Sequence, residues 1–393
     1  MITPLWLDEP ALQQWFAAVE ARGGEARAVG GCVRDHVLGR RSNDVDMACT
    51  LVPPMVMDIA HQLGWKAVPT GIAHGTVTLV LPNRVLEVTT LRRDVKTDGR
   101  HAEVLYTTRF EDDAARRDFT MNALYMDRTG QITDFHEGVA DAQAGRVRFI
   151  GDAHARIRED GLRILRFFRF LATHGTPPAD AEALSACAGL RAMLDDLSGE
   201  RIQQEMKKLL MAPDPTYALV QMSVLALGEV LCGSAWQVGL LQPVLQREAQ
   251  HKLPPSPWVR LLALVVPAQR MAVAQQISSR WKLSRADMQV LEFLTAPPPL
   301  QQGAQVKEAL RHFKREWVQQ SLLLHAADDP DFMLQSVLPL ARSWEPPVFP
   351  VTAHDLMARG MVQGRELGDA LRAIEQRWVQ SDYRLSRQEL LAQ

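Results

Sequence analysis

The sequence predicts an α+β protein, with a mixed sheet and its helices over residues 1–150 and an all-helical remainder. Three observations point there. Alternation of apolar and polar residues, the mark of strands, is confined to the first 150 positions. Helical apolar periods dominate from about residue 152 to the end. Proline- and glycine-bearing breaks at 175–178, 212–215, 253–257, 297–299 and 346–350 divide the helical part into pieces. A chain of 393 residues is long enough for two or three domains at roughly 150 residues each. The expected divisions fall at 1–150, 151–212, 213–345 and 346–393.

The elements follow in order. Leu12, Trp15, Phe16 and Val19 repeat at helical spacing over 11–22. Ala26–Val29 reads as a short strand stopped by Gly30-Gly31, and 32–38 as a short helix ended by Gly39. Residues 43–48 alternate polar and apolar, as a half-buried strand does. Pro53-Pro54 opens a helix carrying Met55, Ile59 and Leu63, closed by Gly64. Residues 76–81 and 84–91 are rich in β-branched side chains and flank Pro82-Asn83, a hairpin signal. Residues 92–115 are charged and weakly patterned and read as a mobile loop. Strand-like pieces return at 131–134 and 146–150.

Composition excludes several classes. Lys+Arg 44 against Asp+Glu 46 gives a net charge of -2, which rules out a uniformly basic nucleic-acid coat but not a local basic groove. Hydrophobic residues at 47% supply enough apolar material for packed cores, so the chain is not disordered. Cys32, Cys49, Cys187 and Cys232 form no CxxC pair, so free thiols in a reducing compartment are expected rather than disulfides or a zinc ribbon. The first residues have no basic region before a long apolar run, and no stretch approaches the ~20 apolar residues that cross a bilayer. A cytoplasmic protein is expected. Walker A, HExxH and GxSxG patterns are absent.

Three stretches carry chemistry. The first is Val29-Gly30-Gly31-Cys32-Val33-Arg34-Asp35 with Asn43-Asp44-Val45-Asp46. A strand running through Gly30 and Gly31 into a helix lets an anion approach the backbone, and Arg34 could grip a phosphate with two parallel hydrogen bonds. Asp44 and Asp46 are two apart in an expected strand, so both carboxylates face one side, a donor set suited to Mg²⁺. The plainer reading of each part alone is a turn and two surface acids. The second stretch is Arg116-Arg117-Asp118-Phe119-Thr120-Met121-Asn122-Ala123-Leu124. There Arg117 could hold a triphosphate and Asp118 accept from a sugar hydroxyl; a solvated face before a buried segment fits equally well. The third runs from Arg158 to Phe170 and is expected as a helix, with Asp160, Arg163, Arg166 and Arg169 advancing by three and drifting around about half its circumference. An amphipathic helix with i, i+3 ion pairs is the alternative.

In this order the three stretches resemble the tRNA nucleotidyltransferase / poly(A) polymerase family, specifically its bacterial class II branch. The match covers about residues 24–171. The resemblance implies a polymerase-β-like nucleotidyltransferase head (1–150), a helical neck with a nucleobase-recognition helix (151–212), a helical body (213–345) and a helical tail (346–393). It implies addition of C, C and A to the tRNA 3′ end from CTP and ATP without a nucleic-acid template. By the same resemblance Asp44 and Asp46 bind the metals, Mg²⁺ by expectation. Gly30, Gly31 and Arg34 contact triphosphate, and Arg117 and Asp118 contact phosphate and ribose. Asp160 and Arg163 read the base, Arg166 and Arg169 add nucleotide contacts, and Glu159 orients Arg163. Gly161 stands where relatives often carry a bulkier residue, which would loosen the helix start. Glu87 is either a third acid near the metals or a partner of Arg92 or Arg93. The partners implied are tRNA, ATP and CTP, with no membrane and no stable protein partner.

Base reading has a direct chemical rationale. Cytosine and adenine each offer an amino donor beside a ring acceptor, which a carboxylate and a guanidinium complement. Uracil and guanine present the reverse and would leave buried polar groups unpaired. The loop at 92–115, with Thr97-Asp98-Gly99-Arg100, resembles the flexible element of CCA- and A-adding enzymes and disfavours CC-only addition. A-only addition and poly(A) synthesis remain alternatives within the family. Outside it stand small-molecule nucleotidyl transfer, which has no need of the arginine helix, and a non-catalytic RNA-binding protein. The tryptophans at 236, 258, 281, 317, 344 and 378 and the dipeptide His354-Asp355 are expected to be structural.

Overall fold

The structure, a computed structural model, describes residues 4–42, 44–97 and 102–392. Asn43 and residues 98–101, which include most of the Thr97–Arg100 stretch, lie outside the described residues. The chain forms two compact units: Met1–Gln242 with Gln275–Ser284, and Pro243–Ala274 with Arg285–Gln393.

The first unit begins with α1 (Pro10–Ala21), β1 (Ala26–Val29), α2 (Gly31–Val37), β2 (Asp46–Cys49) and α3 (Pro53–Gln62). β3 (Lys66–Gly71), β4 (Thr76–Val80), β5 (Val85–Thr90), β6 (Arg92–Thr97) and β7 (Ala102–Tyr106) come next, followed by α4 (Phe110–Ala115), β8 (Leu124–Met126), β9 (Ile132–Asp134) and α5 (Gly138–Ala144). Seven strands make one sheet in the order β3-β4-β5-β2-β1-β8-β9, antiparallel throughout except for β2 beside β5. Proline at the start of α1 and of α3 costs no hydrogen bond there, because the first helical N–H groups lack partners anyway. The stripe Leu12, Trp15, Phe16 and Val19 packs with Met47, Val77, Leu79, Leu86 and Val88 on one face of the sheet. Val29, Ala48, Leu91, Phe110, Ala114, Tyr125 and Ile150 form a smaller cluster. β5 alternates strictly, with Leu86 and Val88 buried and Val85 and Glu87 exposed.

Beyond the sheet come α6 (Ala153–Glu159), α7 (Leu162–His174), α8 (Ala181–Gly189) and α9 (Gly199–Leu210). Phe119 meets Phe149 at 4.8 Å and Phe170 at 5.3 Å, and Phe149 stacks on Phe167 at 5.9 Å. This aromatic cluster crosses the expected boundary near residue 150 and fixes α7 against the turn that follows α4. The second unit is helical. In it Arg260 and Glu248, each 5% exposed, form an ion pair at 2.6 Å. Val351, Leu356, Leu367, Trp378, Leu390 and Leu391 close a C-terminal core. Asp355 accepts from Thr352 N and Oγ1 in a capping box, so the His354-Asp355 dipeptide is a helix start.

Three sequence expectations are corrected. Residues 92–115 are not a loop in their described part: β6 and β7 form a two-stranded antiparallel ribbon and α4 follows. A ribbon outside the main sheet needs no buried face, so it leaves no apolar alternation to read. Residues 146–150 form no strand; Phe149 makes a single bridge to Phe119 while its ring enters the aromatic cluster. Residues 158–170 are not one helix. Asp160 is extended (φ -158, ψ 109) between α6 and α7, and a Cβ on Gly161 would stand 3.0 Å from Met193 Cβ and 3.1 Å from its carbonyl oxygen. Gly161 therefore serves close approach at a break rather than weakening a continuous helix. β3 and the wholly buried β8 carried no strand signal.

All four cysteines are free and buried, and among the described residues no helix is long and apolar enough to cross a membrane. Trp236, Trp258, Trp281 and Trp378 are core residues at 5% exposure or less. Gly138 tests the packing around the site: a Cβ there would stand 2.1 Å from the Thr120 carbonyl oxygen. Gly138→Ala is expected to destabilise by about 1–3 kcal/mol through backbone displacement, read as a lower urea midpoint with an unchanged slope.

Candidate active site

The register of β2 sets the acidic edge. Asp46 pairs with Val29 of β1 on one side and with Glu87 of β5 on the other. β2 begins at Asp46, so Asp44 precedes the strand rather than lying in it. Asp44 and Asp46 are nevertheless both exposed around buried Val45, which keeps their side chains on one side. Protein packed around Asp46 raises its pKa by desolvation, the charges of Glu87 and Asp44 raise it further, and Arg117 pulls it down. Glu87 is thus a neighbour of Asp46. Among the described residues no group of three or more His, Cys, Asp or Glu side chains is arranged to hold a metal ion. The donor chemistry still fits Mg²⁺, which takes one or two carboxylates and fills its shell with water and substrate phosphates. Crowded like charges at Asp46 are what a divalent cation would relieve.

Beside this edge the chain turns at Gly30, where φ 76 and ψ -122 exclude a side chain. Gly30 N donates to Leu124 O at 3.0 Å, tying the turn to β8. A Cβ at Gly30 would lie 3.7 Å from Arg117 Nη1, and one at Gly31 would lie 3.7 Å from Arg34 Nη2. Arg34 is 7% exposed and already engaged: Nη1 donates to Asn122 Oδ1 at 2.7 Å, and Nε and Nη2 to Asp35 Oδ1 at 3.0 and 2.8 Å. Burial pushes the Cys32 thiol, in the same turn, up to about 12, so it is no nucleophile.

Arg117 is held by a residue the sequence reading missed. Asp113, 1% exposed, accepts from Arg117 Nε and Nη2 at 3.1 and 3.0 Å and from Tyr125 Oη at 2.7 Å. Its other oxygen takes Arg116 Nε and Nη2 at 2.9 and 2.6 Å. The signal was present as i, i+3 and i, i+4 spacing from Asp113 to Arg116 and Arg117, hidden among Glu111, Asp112 and Asp113. Burial would raise the Asp113 pKa, but the two guanidinium charges and the tyrosine hydrogen bond outweigh it and hold it at about 2.

Asp118 is heavily engaged. Oδ1 accepts from Phe119 N at 2.8 Å and Asn122 Nδ2 at 3.3 Å; Oδ2 accepts from Arg166 Nε at 2.7 Å and lies 2.5 Å from Nη2 of the same ion pair. A carboxylate offers about four lone-pair sites; three are bonded and Nη2 covers the side of Oδ2 that a sugar hydroxyl would need. Arg166 also lies 3.7 Å from Glu205 Oε1, and Arg169 Nε donates to Glu205 Oε2 at 2.5 Å. Glu159 accepts from Arg163 Nη1 and from Arg156 Nη1. Arg163 further donates Nη1 to Arg156 O at 2.7 Å and Nη2 to Arg116 O at 3.3 Å, so it reaches the stretch that carries Arg117. Asp160 accepts from Leu162 N at 3.1 Å and Arg201 Nη2 at 2.6 Å. The structure thus joins Arg34, Asn122, Asp118, Arg166, Glu205 and Arg169 in one chain of polar contacts. Arg117, whose charge acts on Asp46, connects that region with the acidic edge.

The depressed Asp113 pKa carries a stability consequence. Its contribution is complete above the ordinary carboxylate value of 3.8 and is lost as pH falls through about 2. Asp113→Asn is expected to destabilise at neutral pH by about 3 kcal/mol, because a buried carboxylate no longer compensates the two partly buried guanidinium groups bonded to it. It is also expected to flatten the fall in the urea midpoint over this pH range.

Comparison with known proteins places the family. Residues 26–148 match the family described as the poly A polymerase head domain, and residues 180–232 match a probable RNA and SrmB-binding site of polymerase A. The mitochondrial CCA tRNA nucleotidyltransferase 1 of Danio rerio is 35% identical over 379 residues, spanning 94% of this chain and 86% of that protein. The CCA-adding enzyme of Lactiplantibacillus plantarum is 34% identical over 288 residues, spanning 72% of this chain and 69% of that protein. The crystal structure of the Bacillus stearothermophilus CCA-adding enzyme in complex with CTP superposes with a TM-score of 0.73 at 26% identity, over 95% of this chain and 94% of that one. On this breadth of likeness, the chain belongs to the tRNA nucleotidyltransferase / poly(A) polymerase family.

Proposed function

We infer that this protein is a CCA tRNA nucleotidyltransferase. It adds C, C and A to the 3′ end of tRNA from CTP and ATP, without a nucleic-acid template, by phosphoryl transfer that releases pyrophosphate. One observation carries the reading: β2 holds Asp46 beside Glu87 and next to the Gly30 turn, in a chain that spans 86% of a relative with this activity. Residues 1–150 act as the catalytic head, 151–212 as the neck that reads the base, and 213–345 and 346–393 as the body and tail. The buried free thiols suit the cytoplasm.

Asp44 and Asp46 are the residues that would hold Mg²⁺. Such an ion, when bound, lowers the pKa of the attacking 3′-hydroxyl and offsets charge on the α-phosphate. The chain's own groups do the rest. Gly30 and Gly31 keep the approach to the triphosphate free of side chains. Arg117 brings positive charge there from a guanidinium already oriented by Asp113, so little reorganisation accompanies binding. Arg34, Arg166 and Arg169 add charge along the same side. Asp118 positions Arg166 and is released to a ribose hydroxyl only if that ion pair opens.

Base selection falls to Asp160 and Arg163. Asp160 uses two of its four lone-pair sites, on Leu162 N and Arg201. Arg163 donates three of its five N–H groups, two from Nη1 and one from Nη2. Two acceptor sites and two donors remain, the complement of an amino group beside a ring nitrogen.

A tRNA ending before C, C and A, incubated with CTP and ATP and then sequenced, is expected to gain C-C-A. A run of A, or arrest after C-C, would overturn the assignment. Asp46→Asn is expected to lower kcat by about 10³-fold or more with a far smaller change in nucleotide KM, since the carboxylate acts on charge that develops in the transition state. Asp160→Ala with Arg163→Ala is expected to bring CTP and UTP to within about tenfold of each other, from the 10⁴-fold range that hydrogen-bonding sites reach. Retained preference for CTP and ATP in that double variant would sink the base-reading role.

A further inference from the structure

Asp160 lies outside both helices it separates, in extended backbone. No helical turn holds its side chain, so its direction depends on the two donors it meets. One is Leu162 N at the start of α7, bonded to Oδ1 at 3.1 Å; the other is Arg201 Nη2 on α9, bonded to Oδ2 at 2.6 Å. Four residues along the same face of α9 stands Glu205, 5% exposed. It bonds Arg169 at 2.5 Å and lies 3.7 Å from Arg166. Three charged side chains of the reading region, Asp160, Arg166 and Arg169, therefore each face an opposite charge on α9. Neither Arg201 nor Glu205 carries a signal readable from local sequence, and neither is among the groups assigned above to contact the nucleotide.

We propose that α9 sets nucleotide specificity from outside the contact surface, with Arg201 as the positioning residue for Asp160. Arg201 occupies one lone pair of Oδ2 and so decides which acceptor directions face the incoming base. With that donor in place, the remaining acceptor directions of the carboxylate are fixed, and an amino group of cytosine or adenine is the matching partner. Without it, the side chain of Asp160 can turn about χ1, and the unmatched carbonyl of uracil no longer meets a fixed acceptor. Glu205 plays the parallel part for Arg169 and Arg166. The proposal rests on Asp160 reading the base, and the test separates the two ideas.

The Arg201 side chain is 38% exposed, so Arg201→Met is expected to fold, and its Tm verifies this. Single-turnover kinetics on tRNA ending before C, C and A, with CTP, UTP, ATP and GTP in turn, give the selectivity ratios. Arg201→Met is expected to lower the CTP-to-UTP ratio of kcat/KM by about tenfold or more, the size of a lost hydrogen-bond orientation. Arg201→Lys, which keeps a donor of shorter reach, is expected to recover part of the ratio. A purely structural role would slow all four nucleotides alike and leave the ratio intact, and that result overturns the proposal. Asp160→Ala runs alongside. If it loses selectivity while Arg201→Met keeps it, only the role of Arg201 fails. If Asp160→Ala also keeps selectivity, the base-reading assignment itself is wrong. Should Arg201→Met lose its thermal transition, Arg201→Leu, which also lacks a donor, gives the same readout.

Discussion

The ion pair between Asp118 and Arg166 is the contact on which the rest of the site depends. It joins the turn after α4 to α7, two segments 48 residues apart in sequence, through a hydrogen bond from Arg166 Nε and the close approach of Nη2, both to Oδ2. Two nitrogens of one planar guanidinium converge on that oxygen, which a lysine at 166 could not reproduce. Asp118 is also bonded by Asn122, which in turn holds Arg34, so the orientation of one carboxylate passes to arginines on both sides. Desolvation opposes such a pair. Here the guanidinium charge of Arg166 and two further donors outweigh burial and hold the Asp118 pKa below its ordinary value.

The same logic explains why the site carries so many arginines with so few bare charges. Each of these guanidinium groups near the acidic edge is paired with an acid: Arg116 and Arg117 share Asp113, Arg166 meets Asp118, Arg169 meets Glu205, and Arg163 meets Glu159. Left unpaired, these groups would repel one another and strain the packing of α7 on the aromatic cluster. Paired, they form a preorganised lattice, which is the arrangement the proposed triphosphate binding requires. Asp160 and Arg163, the pair proposed to read the base, keep unused acceptors and donors. Asp113 is saturated and acts as scaffolding.

Local pattern made much of the first 150 residues legible. Strand β1 and the buried stripe of α1 follow from short-range periodicity alone, and the hairpin of β4 and β5 from two β-branched runs around Pro82-Asn83. Asp44 and Asp46 were legible for the same reason, since a spacing of two survives even though the strand begins only at the second acid. The break at Asp160 and Gly161 was not, because an uninterrupted helical period runs across it and Met193, which crowds position 161, lies 32 residues away.

Sequence by itself determined the division into a mixed head and a helical remainder, the two acids at the strand edge, the glycine turn, and the arginine-rich segment at 158–169. All of these are written in spacings of two, three or four residues, the periods that backbone geometry imposes. Tertiary structure alone decided which acid holds which arginine: Asp113 under Arg117, Glu205 under Arg169 and Arg201 over Asp160. Such pairings are settled by where α4, α7 and α9 pack, and burial then forces each charge to find an opposite one within reach, a condition that involves segments tens of residues apart.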